Sequence, residues 1–192
     1  MQRDLEVELV RRFRDGDATA FDEIYDVYNR RLFQFLRRMS RDRSVAEDLL
    51  EETWLRLVRA SVELRPDSRL EPWLFTVARN LYRSYCRSRL REEAYTSEFT
   101  LLWPSEAPRS PHDLACLGEF EARLEAALDD LPPLYREAVL LVGVEGFSPS
   151  EAAAVCGITA EALRQRLSRA RAMLARRLRT EERLAIQLEV AP

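Results

Sequence analysis

Seven arginines (Arg164, Arg166, Arg169, Arg171, Arg176, Arg177, Arg179) lie between residues 164 and 179 with no acid among them. Five more (Arg79, Arg83, Arg87, Arg89, Arg91) lie between residues 79 and 91, again with none. A guanidinium is a permanently charged, planar fork of donors whose natural ligand is a phosphate or carboxylate. A solvated helix ordinarily mixes charges of both signs, so two acid-free arginine blocks point to a polyanion. The acids collect elsewhere, at Glu47-Asp48 with Glu51-Glu52 and from Asp113 to Asp130. The net charge of -3, from 30 basic and 33 acidic residues, conceals this separation, which suits partners of opposite charge.

The same inventory excludes most bond-making chemistry. There is one histidine, His112, and the three cysteines (Cys86, Cys116, Cys156) stand far apart with no C-x-x-C. No catalytic residue, metal site or cofactor is expected from such material. The five glycines form neither G-x-G-x-x-G nor a P-loop. Scattered thiols are most simply small buried hydrophobes in a reducing compartment. The first residues are charged and no stretch approaches the ~20 apolar residues of a membrane span, so a cytoplasmic chain is expected.

The elements that must carry the arginines are helices. Apolar residues recur at helical spacing with no sustained alternation, which predicts an all-α fold. Phe21, Ile24, Tyr25, Tyr28, Leu32, Phe35, Leu36 and Met39 step by three and four behind the candidate caps Asp17 and Thr19. Ser44-Val45-Ala46-Glu47 has the pattern of a capping box opening a second helix, which would bury Ala46, Leu49, Leu50, Thr53, Trp54, Leu57 and Val58. A loop at Leu64-Arg65-Pro66-Asp67-Ser68 precedes a third helix with Pro72 in its first turn, running to about Leu90. Three helices then enclose one core.

Residues 95–112 lose the helical period and gather Pro104, Pro108 and Pro111, as an interdomain linker would. A second helical block begins near Asp113, breaks at Leu131-Pro132-Pro133 and turns at Glu145-Gly146-Phe147. Ser148-Pro149-Ser150-Glu151 is another capping box, and its short helix ends at Cys156-Gly157. The long helix after Thr159 completes a helix-turn-helix. The expected boundaries are 1–94 and 113–179 for two domains, with a tail at 180–192 that resembles a short, frayed helix.

On a helical wheel, Leu163, Leu167, Ala170 and Leu174 face the core of the second domain. Glu161, Gln165, Ser168, Arg169 and Ala172 lie opposite, with Arg164, Arg166 and Arg171 on the flanks. Short polar groups at the centre and guanidinium forks at the edges suit a helix laid in the major groove, reading bases and clamping phosphates. In the third helix Leu74, Val77, Ala78, Leu81 and Tyr85 form the expected buried stripe. Thr76, Arg79, Asn80, Arg83 and Arg87 then point outward, with Trp73, Phe75 and Tyr82 beside them. Aromatic rings among arginines can stack unpaired bases and track their backbone; the simpler alternative places Trp73 and Phe75 in the core. The second helix turns Asp48, Glu51, Glu52 and Arg59 outward around Leu55, an apolar centre in an acidic frame that fits a basic protein surface.

Taken in order, the runs from Ala46 to Leu57 and from Pro72 to Asn80, then Leu131-Pro132 with Arg136-Glu137, Gly146-Phe147-Ser148 with Glu151-Ala152-Ala153, and Arg166 to Arg171 resemble a bacterial extracytoplasmic-function sigma factor. The resemblance spans residues 18 to 178. It implies two helical domains, regions two and four, joined by a linker near the RNA exit path. It implies that Asp48, Glu51, Glu52, Leu55 and Arg59 dock on the clamp of the largest subunit of core RNA polymerase. The loop from Glu63 to Glu71, including Ser68, would capture an unstacked base of the minus-ten promoter element together with Trp73, Thr76, Arg79, Asn80, Arg83 and Arg87. Glu161, Arg164, Gln165, Arg166, Ser168, Arg169 and Arg171 would bind minus-thirty-five promoter DNA, and an anti-sigma factor is an implied partner. The sequence departs from the family pattern at Glu51, usually glutamine, at Ser84, usually aspartate, and at Pro149, usually a bulky residue. An ordinary helix-turn-helix repressor or activator accounts for the last helix equally well, but leaves the arginine–aromatic helix and the acidic helix unexplained.

Overall fold

The computed structural model describes residues 3–96 and 119–189, with side chains over 5–91 and 122–179. Every regular element among them is helical. The chain divides into two compact units, Met1–Ala107 and Pro108–Pro192. His112, Cys116, most of the expected linker and the expected start near Asp113 lie outside the described residues.

The first unit contains α1 (Arg3–Arg14), α2 (Ala18–Ser40), α3 (Arg43–Arg59) and α4 (Leu70–Thr96). Asp17 caps α2, as its sequence position predicts. Its carboxylate accepts from the Thr19 amide at 2.9 Å and hydroxyl at 2.7 Å, and from Arg12 Nε at 2.8 Å. Hydrogen bonding to Thr19 and then Arg12 holds the Asp17 carboxyl at a pKa of about 2. The apolar series of α2 lies inside at Ile24, Tyr28, Leu32, Phe35, Leu36 and Met39, while Tyr25 stays at the exposed edge. Full burial of one such side chain contributes roughly 1.5–3 kcal/mol, so this stripe largely fixes the unit.

Three expectations for this unit are corrected. The helix α1 joins the three expected, its Leu9, Val10 and Phe13 buried and the Phe13 ring stacked on Phe21 at 6.2 Å. The capping box at Ser44–Glu47 does not form: Asp42 caps α3 by accepting from the Val45 amide at 3.1 Å, and Glu47 pairs with Arg43 at 2.8 Å. An aspartate two residues earlier offers the same acceptor and lets the helix begin sooner. Val58, expected inside, is 50% exposed, whereas Ala46, Leu49, Thr53, Trp54 and Leu57 are buried. The Trp54 indole donates to Asn29 Oδ1 at 3.1 Å and meets Tyr25 and Phe21 at 5.0 and 5.9 Å.

The second unit contains α5 (Glu119–Asp129), α6 (Pro133–Val139), a π-helical turn at Leu140–Val144, α7 (Pro149–Cys156) and α8 (Ala160–Glu189). The capping box at Ser148 forms with both hydrogen bonds, from the Glu151 amide to Ser148 Oγ at 3.3 Å and from the Ser148 amide to Glu151 Oε2 at 2.9 Å. Gly157 ends α7 at φ 63°, a left-handed conformation that glycine adopts without steric cost. The buried Arg136 holds α6 against α5. Its Nε donates to Leu128 O at 3.0 Å and its Nη2 to Asp129 O and Leu131 O, both at 2.9 Å, serving carbonyls at the end of α5 and in the turn that follows it. The backbone of α8 runs unbroken through Arg179 to Glu189, so 180–189 continues that helix instead of forming a separate one. No glycine or proline interrupts it before Pro192. Cys86 and Cys156 are buried free thiols, as expected.

Candidate nucleic-acid interface and acidic face

In the second unit the turn at Gly157 delivers α8 with its start capped by Thr159, whose hydroxyl accepts from the Ala162 amide at 3.1 Å. Leu163, Leu167 and Ala170 are buried, and Leu174 is half-buried at the end of the stripe. Glu161, Gln165, Ser168, Arg169 and Ala172 are exposed opposite it, and Arg164 and Arg171 are exposed on the flanks, as the wheel predicts. The Glu161 carboxylate receives Arg164 Nη2 at 2.9 Å and Gln165 Nε2 at 3.4 Å. Arg164 first, then Gln165, lowers the Glu161 pKa, keeping it ionised and orienting both donors.

Arg166 is a correction. Its Nη1 lies 3.8 Å from Glu137 Oε2, and the two side chains are only 22% and 3% exposed. The guanidinium turns toward the buried carboxylate of α6, away from the flank expected to clamp phosphate. A charge next to a buried unlike charge is held there, because separating them strands one in low dielectric.

In the first unit, α4 brings Trp73, Thr76, Asn80, Arg83 and Arg87 onto one stripe at spacings of three and four. Asn80 and Arg87 are exposed; Trp73, Thr76 and Arg83 are half-buried, and the Thr76 hydroxyl donates to Pro72 O at 2.7 Å. Arg79 does not point outward: it is 4% exposed and donates to Asn80 Oδ1 at 3.3 Å. Leu74, Ala78 and Leu81 are buried as expected, but the stripe is shifted to one side, taking in Phe75, Arg79, Tyr82 and Cys86. Phe75 and Tyr82 therefore belong to the core, Phe75 packing edge-on to Phe35 at 5.3 Å, while Val77 and Tyr85 are half-buried. Ser68 is half-buried in the loop before α4 and donates its amide to Arg65 O at 2.9 Å.

The acidic face on α3 forms as expected. Asp48, Glu51, Leu55 and Arg59 are exposed, and Glu52 is held by Arg56 Nε at 3.0 Å with Arg59 Nη1 at 4.0 Å. Two residues were missed: Val58 and Val62, the latter 77% exposed, extend the apolar centre from Leu55. The available signal was their spacing, Val58 three residues after Leu55 and Val62 four after Val58. Among the described residues there is no cluster of metal ligands and no helix long and apolar enough to cross a membrane.

An all-helical chain that carries a helix-turn-helix in one unit, and an arginine–aromatic stripe beside an acidic apolar face in the other, belongs to the DNA-binding transcription factors. Residues 24–92 match the family Sigma-70 region 2, and residues 121–174 match Sigma-70, region 4. The chain is 37% identical over 158 residues to the RNA polymerase sigma factor CarQ of Myxococcus xanthus, covering 82% of this chain and 88% of CarQ. It is 42% identical over 130 residues to the ECF RNA polymerase sigma factor EcfG of Rhodopseudomonas palustris, covering 67% of this chain and 68% of that one. The sigma factor RpoE of Bartonella quintana, solved with the anti-sigma factor NepR, superposes with a TM-score of 0.67 at 29% identity, covering 83% of this chain and 96% of that one. The chain belongs to the ECF family of RNA polymerase sigma factors. It is a transcription-initiation subunit that binds core RNA polymerase and promoter DNA, and it performs no bond chemistry of its own.

Proposed function

We propose a division of labour along the chain. Residues 1–94 bind core polymerase and the minus-ten element, 95–112 link the domains, 113–179 bind the minus-thirty-five element, and 180–192 form a tail. The α3 face of Asp48, Glu51, Glu52, Leu55 and Arg59, extended by Val58 and Val62, docks on the clamp of the largest polymerase subunit. Loop residue Ser68 and the α4 stripe of Trp73, Thr76, Asn80, Arg83 and Arg87 receive unpaired bases, with Arg79 positioning Asn80 from within. Glu161, Arg164, Gln165, Ser168, Arg169 and Arg171 meet the minus-thirty-five duplex, and Arg166 supports α8 through Glu137.

The mechanism follows from differential binding. Core polymerase holds the two DNA-binding surfaces at fixed spacing, so only promoters with both elements gain both sets of contacts. The α4 stripe favours opening because the Trp73 ring, with Asn80 and the arginines beside it, binds bases that closed duplex cannot present. The protein works in the cytoplasm, where polymerase and DNA are found. An anti-sigma factor that covers these surfaces is a further partner, by analogy with the RpoE–NepR complex.

The observation that carries this reading is the polar face of α8 between residues 161 and 171, with its exposed arginines and with the Glu161 carboxylate already paired. It is tested by two substitutions in the holoenzyme. Each phosphate neutralised on duplex DNA contributes about −0.9 to the salt slope. Arg171→Ala is expected to flatten that slope by about one such increment while leaving sequence preference intact. Gln165→Ala is expected to relax sequence preference while leaving the slope unchanged. Titrations of promoter duplex across a range of salt concentrations read both, and equal effects from the two variants contradict the assignment of centre and flank.

A further inference from the structure

The helix α1 lies outside the region-2 match, which begins at residue 24. One of its side chains nevertheless reaches the element that meets the minus-ten DNA. Glu6 Oε1 accepts the backbone N–H of Leu70 at 2.8 Å, across 64 residues of sequence. Leu70 is the first residue of α4, where amide hydrogens have no partner within the helix.

The local sequence at the head of α4 is poorly suited to capping itself. Arg69, immediately before the helix, has no side-chain acceptor, and Pro72, third in the helix, has no N–H for a preceding side chain to bind. A carboxylate from another helix supplies what is missing, and its negative charge also complements the positive end of the helix dipole. A second tie lies beside it: Arg31 of α2 pairs with Glu71 at 2.6 Å, its guanidinium 5.6 Å from the centre of the Phe75 ring. The head of α4 is therefore fixed from α1 by Glu6 and from α2 by Arg31.

The connection from α3 to α4 is anchored by the buried Leu64 and ends at the buried Leu70, while Arg65, Pro66, Asp67 and Arg69 between them are exposed and Ser68 is half-buried. A loop that must receive a base binds it in proportion to the time it spends in the receptive shape. Because its downstream end is the first turn of α4, the bond from Glu6 sets that proportion.

We propose that Glu6 is a positioning residue for promoter opening, its carboxylate holding the head of α4 so that the adjoining loop is preformed for an unpaired minus-ten base. The inference rests on the base-capture reading of the loop and α4 given above. It requires an acceptor at this position but not a full charge, so glutamine should largely replace glutamate and alanine should not.

The test uses holoenzyme assembled from core polymerase and full-length chain, with four versions: unchanged, Glu6→Ala, Glu6→Gln and Asn80→Ala. The probes are a single-stranded minus-ten oligonucleotide and a minus-thirty-five duplex. Loss of one charged hydrogen bond at the loop boundary is expected to weaken Glu6→Ala for the single strand by about tenfold. Its affinity for core polymerase and for the duplex should be unchanged, and Glu6→Gln should recover most of the loss. Unchanged single-strand affinity in Glu6→Ala overturns the proposal, and so does a parallel loss on the duplex probe, which would mark a general loss of folding. Asn80→Ala separates the two readings. If it weakens single-strand binding while Glu6→Ala does not, the Glu6 inference alone fails. If Asn80→Ala has no effect while Glu6→Ala does, the assignment of Asn80 fails and the positioning role stands.

Discussion

Arg136→Met is expected to unfold the second unit at physiological temperature while leaving the first intact. The Arg136 guanidinium is 1% exposed and serves the carbonyls of Leu128, Asp129 and Leu131. Methionine fills much of the space but offers no donor, so all three carbonyls lose the guanidinium where water has little access, and only Leu128 O keeps a backbone donor, the Leu131 amide. An unsatisfied buried polar group costs about 1–3 kcal/mol, and the loss of a buried charged group from its network typically reaches about 3–5 kcal/mol. Small domains have total stabilities of about 5–15 kcal/mol, and a unit this small, at the low end of that range, loses most of its stability and unfolds at physiological temperature. Denaturant titration followed through the first unit's Trp54 and, separately, by amide exchange in α6 and α7 should show loss of protection in the second unit alone. Duplex binding should disappear with it, while affinity for core polymerase through α3 should persist.

Leu55→Asp is expected to act in the opposite way, abolishing assembly without affecting folding. Leu55 is 42% exposed at the centre of an apolar strip with Val58 and Val62, framed by Asp48, Glu51 and Glu52. Because the side chain is not part of the core, an aspartate there costs the free protein little. In the complex, the same carboxylate would be desolvated against an apolar contact. Central apolar residues of interfaces commonly account for 2 kcal/mol or more, and a buried unpaired charge adds to this, so a loss of about 100-fold in core affinity is expected. Competition between labelled unchanged chain and the variant for core polymerase measures it. A Glu63→Ala control just beyond the strip should change affinity by less than about threefold, as rim positions usually do.

Features legible in the sequence were those fixed by neighbours a few residues apart. The capping box at Ser148, the turn at Gly157 and the apolar stripe of α8 are local consequences of residue type and helical spacing, and they appear where expected. Errors arose where two local solutions compete. Asp42 and Ser44 can both cap α3, and the earlier acceptor is the one used. On α4, aromatic residues occur on both sides of the wheel, so the pattern does not fix which of Phe75 and Trp73 turns inward. The core of α2 decides it by presenting Phe35 to Phe75, and Arg79 is carried inside with that stripe. The helix α1 went unrecognised because only Leu9, Val10 and Phe13 mark its buried face among many charged residues.

Long-range polar ties were invisible for a different reason. Nothing near Glu6 announces a partner at Leu70, and nothing near Arg166 announces Glu137. Arg136 stands in the sequence only among the residues that carry the family resemblance, yet its role depends on carbonyls at and just after the end of α5, which have no sequence signature. Side-chain type specifies what a group can bind; only the packed helices specify what it meets.

The central claim is that two DNA-binding surfaces function as a pair when the α3 face fastens the chain to core polymerase. Run-off transcription with purified core polymerase and this chain, on a responsive promoter and on the same promoter with about 5 bp, half a helical turn, inserted between its two elements, tests it most directly. The account predicts transcripts from the first template only when chain and core are both present, and loss of most of the signal from the second. Equal transcription from both templates would contradict it.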